Sequence, residues 1–208
     1  THATLNTVEN IKVSGDLGAG YDIYSLNTAN TTNTVRTIDL SGLKNVEKGT
    51  ITLDNSNTNL LSLKATGGDD KVTLIDNMLT NNVANNVDID LGAGDDEIIT
   101  KTLVANKTVT INGGAGNDLF DVRASKTDVD ASKYIVVGDA SGGDKIKFNA
   151  LDQSSGFERV EDSVVKDATT LKEAINLAIA SNQSASPILN KVFYFTYAGD
   201  TYVVHNAT

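Results

Sequence analysis

Between residues 11 and 148, apolar and polar positions alternate, and short runs of glycine and aspartate break the alternation at recurring distances. Five of these runs end in an aspartate: "LGAGYD" at Asp22, "ATGGDD" at Asp70, "LGAGDD" at Asp96, "GGAGND" at Asp118 and "DASGGD" at Asp144. From Asp70 onward the anchors are 26, 22 and 26 residues apart, and the 48 residues from Asp22 to Asp70 make two such periods. Apolar residues recur at fixed offsets from them. Nine positions before stand Val13, Leu61, Val87, Val109 and Ile135, and seven before stand Leu63, Ile89, Ile111 and Val137, with Gly15 at the first anchor. Two positions after come Tyr24, Val72, Ile98, Phe120 and Ile146. Alternate apolar positions on both sides of a turn are the mark of strands with one buried face.

The skipped period is placed by taking Glu47 as its anchor, which puts Ile38 nine before, Leu40 seven before and Ile51 four after. Its turn, "GLKNVE", keeps one glycine, so no ion is expected there. Residues 11–148 thus predict six strand–turn–strand units of about 24 residues. Such a unit cannot bury its apolar face alone, so the units stack. Stacked in register they form an all-β parallel β-roll, or β-solenoid; six hairpins in an antiparallel sandwich would use the same strands and turns. Repetition at identical positions favours the solenoid. The expected division is 1–150 for the solenoid and 151–208 for a C-terminal cap.

In the cap, Thr170 and Glu173 fit a capping box, and Leu171, Ile175, Ala178 and Ile179 form an apolar stripe, which predicts a short helix over 170–181. Such a helix would cover the open end of the solenoid or serve assembly or secretion. Residues 191–205 alternate around "AGD" and predict a β-hairpin. Phe193, Tyr194, Phe195, Tyr197 and Tyr202 gather there, to pack on the helix or to form an intersubunit contact.

Composition narrows the chemistry. The net charge of −10 repels nucleic acid and anionic membranes and attracts cations. There is no cysteine, hence no disulfide, thiolate metal site or thiol nucleophile. The only histidines are His2 and His205, and neither HExxH nor GxSxG occurs, so no enzyme is indicated. No stretch approaches the ~20 apolar residues of a membrane span, and "THATLNTVEN" reads as mid-protein sequence, so a fragment of a longer chain is expected.

Stacked coils lie about 4.8 Å apart, which brings the aspartates of successive turns together. Two carboxylates some 5 Å apart repel by about 1 kcal/mol in water and more when partly buried. A cation between the turns would relieve this, and carboxylate and carbonyl oxygens suit Ca²⁺. The plainer reading is that such sequences simply make good turns.

The runs "GGAGNDLF", "LGAGDDEI" and "LGAGYDIY" resemble the glycine- and aspartate-rich nonapeptide repeat of RTX proteins, GGxGxDxUx. That resemblance implies calcium held between neighbouring turns of a parallel β-roll, with Asp22, Asp70, Asp96, Asp118 and Asp144 as carboxylate ligands. It implies that Gly18, Gly20, Gly92, Gly94, Gly113, Gly114 and Gly116 shape a cage of backbone carbonyls. Only residues 113–121 fit the motif in full, and the period here is about 24 rather than nine. Loops such as "NMLTNNVANN" would line the other side. The "VE" steps of "LNTVENIKV" and "GFERVEDSVV", with the tail "ATTLKEAINLAIA", are similar to the C-terminal region of RTX-type bacterial surface-layer proteins. This implies a structural, self-assembling protein, secreted by a type I route and folding in calcium at the cell surface. Partners would be further copies of itself and, through parts outside this sequence, a surface polysaccharide. The alternatives are an accessory module of a secreted enzyme, toxin or adhesin, and a calcium-independent solenoid binding carbohydrate.

Overall fold

The structure is a computed structural model, and it describes residues 9–17, 23–27, 35–53, 60–74, 86–101, 108–124, 134–139, 142–148, 157–181 and 191–206. Asp22, Gly18, Gly20 and the "NMLTNNVANN" loop lie wholly or largely outside them. The chain divides into two compact units, Thr1–Lys147 and Phe148–Thr208. Among the described residues no helix is long and apolar enough to cross a membrane.

The first unit is a parallel β-solenoid. Six coils each give one strand to each of two sheets. One sheet holds β1 (Asn10–Asp16), β3 (Thr37–Lys44), β5 (Ser62–Lys64), β7 (Val87–Asp90), β9 (Thr108–Asn112) and β11 (Tyr134–Asp139). The other holds β2 (Ile23–Asn27), β4 (Lys48–Leu53), β6 (Asp69–Leu74), β8 (Glu97–Ile99), β10 (Leu119–Asp121) and β12 (Lys145–Lys147). All their pairings are parallel, which excludes the hairpin sandwich.

Register makes the core. Ile11, Ile38, Leu63, Ile89, Ile111 and Val137 stand level across the first sheet. Ile51, Val72, Ile98, Phe120 and Ile146 do so across the second. In the middle coils these columns are fully buried and form one continuous cluster. At the start of the third coil the core residue is Leu60, fully buried, whereas Leu61 is half-buried.

The first two coils depart from the expected frame. Gly49, not Glu47, pairs with Asp70, and Tyr24, not Asp22, pairs with Gly49. In the first sheet Ile38 rather than Leu40, and Ile11 rather than Gly15, hold the column of Leu63. The turn of the second coil is therefore longer, and Leu40, Leu43 and Val46 fill its corner as buried residues. Val13 is exposed.

The second unit pairs β13 (Phe157–Arg159) parallel with β14 (Lys191–Tyr197), which pairs antiparallel with β15 (Asp200–Asn206). Ala198 and Gly199, both at positive φ (54° and 95°), close the hairpin as a two-residue loop whose twist matches the strands. The helices are α1 (Asp162–Val165) and α2 (Leu171–Ser181). Thr170 Oγ1 accepts the Glu173 N–H at 3.2 Å, while the Glu173 carboxylate accepts the N–H and hydroxyl of Thr169. The box thus closes one residue earlier than expected. Ala174 and Ala178 of α2 pack with Phe193 and Phe195, fully buried in this unit's own core.

Candidate metal site in the turn column

Among the described residues, acidic turns 65–70, 91–96 and 113–118, and residues 142–144 of a fourth, stand at the corner where the chain leaves the first sheet for the second. Strand pairing sets Asp70, Asp96, Asp118 and Asp144 level with one another. Asp70, Asp96 and Asp118 are buried, at 2%, 1% and 1% exposure. One oxygen of each later aspartate satisfies the coil before it. Asp96 Oδ1 accepts the Asp70 N–H at 2.6 Å, Asp118 Oδ1 the Asp96 N–H at 2.9 Å, and Asp144 Oδ1 the Asp118 N–H at 2.8 Å.

The other oxygen is the anomaly. Asp70 Oδ1, Asp96 Oδ2 and Asp118 Oδ2 are buried without a hydrogen-bond partner. A buried carboxylate oxygen left unpaired is costly, and folded proteins rarely leave one so. Burial accordingly pushes all three carboxyls above the usual carboxylate range. Asp96, whose backbone bond from Asp70 only partly offsets burial and the charges of Asp70, Asp118 and Asp69, is pushed up to about 8.

The glycines let the turns stack. Gly92, Gly94, Gly114 and Gly116 have φ of 104°, 122°, 95° and 146°, where L side chains are strained. A Cβ on Gly92 would overlap the carbonyl oxygen of Thr66, and one on Gly114 that of Gly92. A Cβ on Gly94 would overlap the backbone of Gly68, and one on Gly116 the carbonyl of Gly94. Gly113 differs: a Cβ there would strike the unpartnered Oδ2 of Asp118. The turns are also zipped directly, since the Gly92 carbonyl accepts the Ala115 N–H (3.0 Å) and the Ala115 carbonyl accepts the Gly94 N–H (2.8 Å). The glycines therefore serve close approach of the turns.

Three participants were not picked out from the sequence. Thr66, at the position held by Gly92 and Gly114 in the next two turns, gives its N–H and hydroxyl to Asp70 Oδ2 at 2.6 and 2.7 Å. Asp69 and Asp95 form an outer ladder, Asp69 Oδ1 accepting the Asp95 N–H and Asp95 Oδ1 the Asn117 N–H, both at 2.9 Å. The doublets Asp69–Asp70, Asp95–Asp96 and Asn117–Asp118 were the available signal. Elsewhere Asp121, also buried, is held by Arg123 at 2.6 Å and Lys147 at 3.8 Å, and the Arg123 hydrogen bond holds its carboxyl below the usual range.

Among the described residues no three Asp, Glu or His side chains converge as a metal cluster. A cation in this column would therefore rest on single carboxylate oxygens from successive coils together with turn carbonyls. All are hard oxygen donors, and the unpartnered oxygens supply the place for the charge, so the residues fit Ca²⁺. Gly49 and Tyr24 take the anchor level in the second and first coils, so the column of acids does not extend to them. No family model, curated sequence or solved structure matches the chain.

Proposed function

We propose that this chain is a calcium-binding β-roll from a secreted, self-assembling bacterial surface-layer protein, with a structural and not a catalytic role. The observation that carries the calcium reading is the stack of three buried carboxylate oxygens with no partner. Asp70, Asp96, Asp118 and Asp144, with carbonyls of the intervening glycine turns, would hold the ions. Bound calcium supplies positive charge where buried negative charge is otherwise unopposed. The surface-layer assignment rests on the sequence resemblance and on a repetitive fold whose described residues offer no cluster of catalytic type.

Because ions bind the folded column and not the unfolded chain, stability rises with free calcium, by about 2.7 kcal/mol per site at a hundred times the dissociation constant. The test is a titration of chelator-treated protein with Ca²⁺, followed by far-UV circular dichroism and sedimentation, with Mg²⁺ as control. Gain of β-structure and of large assemblies with calcium alone is expected. A chelated protein that is fully folded and indifferent to calcium refutes the metal reading. A calcium-dependent monomer refutes self-assembly and favours the accessory module.

A further inference from the structure

Among the described residues the solenoid core is fully buried in its middle coils and only partly buried in its first and last. Of the exposed large hydrophobic side chains, Val13 (38%) lies on β1 and Val136 (37%) on β11, the two outermost strands of one sheet. Among the described residues, the partly buried side chains packed on the core are Ile11 and Leu17 in the first coil and Ile135, Val137 and Ile146 in the last. The shortfall in burial is thus confined to the two terminal coils.

Charge says which edges can meet. Register in this sheet sets Lys12, Asp39, Lys64, Asp90, Asn112 and Asp139 in one outward-facing row. Signs alternate over its first four positions, and Lys12 bridges Asp39 at 3.2 Å. The row begins with a cation at one edge and finishes with an anion at the other. Both edge pairings also carry a register irregularity, the extra residue lying in β3 opposite Lys12–Ser14 and at Gly138 in β11. Irregular, charged edges resist indiscriminate strand pairing. Joining two first coils would run β1 antiparallel to β1, and joining two last coils β11 antiparallel to β11, so neither carries the level row onward. Only unlike ends continue the row.

We propose that a second copy of this chain stacks on the first end to end, the β1–β2 edge of one copy continuing the sheets past the β11–β12 edge of the other. The half-buried Ile11, Leu17, Ile135, Val137 and Ile146 close into one core at the joint, and Lys12 faces Asp139 of the neighbouring copy. Such a heterologous contact does not close on itself and propagates as a filament. This names one contact of the proposed assembly, the one that runs along the solenoid axis, and so rests on that reading.

The chain has no cysteine, so introduced thiols report without background. Neighbouring parallel strands place paired Cα atoms about 4.8 Å apart, within reach of a disulfide. Mixing K12C with D139C under mild oxidation is expected to give mixed dimers, and K12C/D139C a ladder of higher species. K12C linking chiefly to itself, or no link with a sedimentation coefficient of a monomer, overturns the proposal. As a second measurement, D139K exchanges attraction for repulsion at about 5 Å and is expected to raise the concentration needed for assembly on the order of tenfold at low salt. Adding K12E to it restores assembly; failure of that rescue in a folded protein counts against the joint. Run with calcium and with chelator, the cross-link separates the two readings. Calcium uptake without links sinks the joint alone, and links without calcium uptake sink the metal site alone.

Discussion

Replacing Asp96 by asparagine should change stability in opposite directions with and without calcium. In the metal-free protein the Asp96 carboxyl titrates near 8 when folded, against 3.8 in an unperturbed chain. The folded state then holds a proton that the unfolded state has released. Stability contributed by this group is fully present below about pH 3.8 and drains away as pH rises toward 8. At pH 7 about three units have been crossed, at 1.36 kcal/mol each, so about 4 kcal/mol is lost relative to acid. An asparagine at this position has no such proton to lose. Its amide oxygen can keep the Asp70 N–H, but its amide nitrogen enters the unpartnered position, which costs about 1–3 kcal/mol. Asp96→Asn is therefore expected to stabilise the chelated protein at pH 7 by about 1–3 kcal/mol and to flatten its pH dependence between 5 and 8. With calcium in excess the variant loses the sites on both sides of Asp96, together worth about 5 kcal/mol at a hundred times the dissociation constant, and so falls below wild type by about 2–4 kcal/mol. Urea unfolding followed by circular dichroism at pH 5, 7 and 8, with chelator and with calcium, reads both signs. A variant weakened equally in both media would show that Asp96 is only a hydrogen-bond acceptor, and the metal argument would fail.

Gly114→Ala is expected to weaken the protein by about 1–3 kcal/mol or more, from strain at positive φ and overlap with the Gly92 carbonyl. Gly67→Ala, where a Cβ meets nothing within 4 Å, should stay within about 0.5 kcal/mol in the same thermal melts. Arg123→Ala strips the main partner from buried Asp121 and should cost about 3 kcal/mol at pH 7. It should cost less near pH 4, where protonation of Asp121 relieves the unpaired charge, with calcium affinity by calorimetry unchanged. Asp95→Asn keeps the oxygen that accepts the Asn117 N–H, so calcium affinity should move less than about twofold, in contrast to its neighbour Asp96.

The parts of the fold that could be read in the sequence were those where apolar periodicity and turn spacing agreed. From Leu63 to Asp70, Ile89 to Asp96 and Ile111 to Asp118 the interval is the same, and the columns fall as expected. In the second coil the interval from Ile38 to Gly49 is four residues longer, and the frame built on Glu47 slipped by two. A period-two pattern cannot detect that slip, because moving a strand by two residues keeps every apolar side chain on the same face. Leu40, Leu43 and Val46 deepened the ambiguity, since the inserted corner is apolar and buried too. The same two-residue slip put Asp22 at the level that Tyr24 occupies. The partnering of each carboxylate oxygen lay beyond pattern altogether, because it depends on which backbone N–H of an adjacent coil comes within hydrogen-bond reach.

Two adjacent columns of the corner test the reasons for an acid. In the outer column, Asp69, Asp95 and Asn117 succeed one another, and the first two perform the same act of accepting the next coil's N–H. An amide can take that place, because one acceptor oxygen at an exposed site is all the ladder asks. In the inner column, Asp70, Asp96, Asp118 and Asp144 follow without exception over four coils. Yet there burial makes the charge expensive and an amide would satisfy the same N–H. Turn formation alone predicts the reverse distribution, with amides inside and acids outside. The proposed cation on the second oxygen would account for the preference, since it offsets desolvation only when the ligand is charged. The same reasoning limits the site to the coils that carry the acid: at Gly49 the level is occupied by a residue with no side chain to offer.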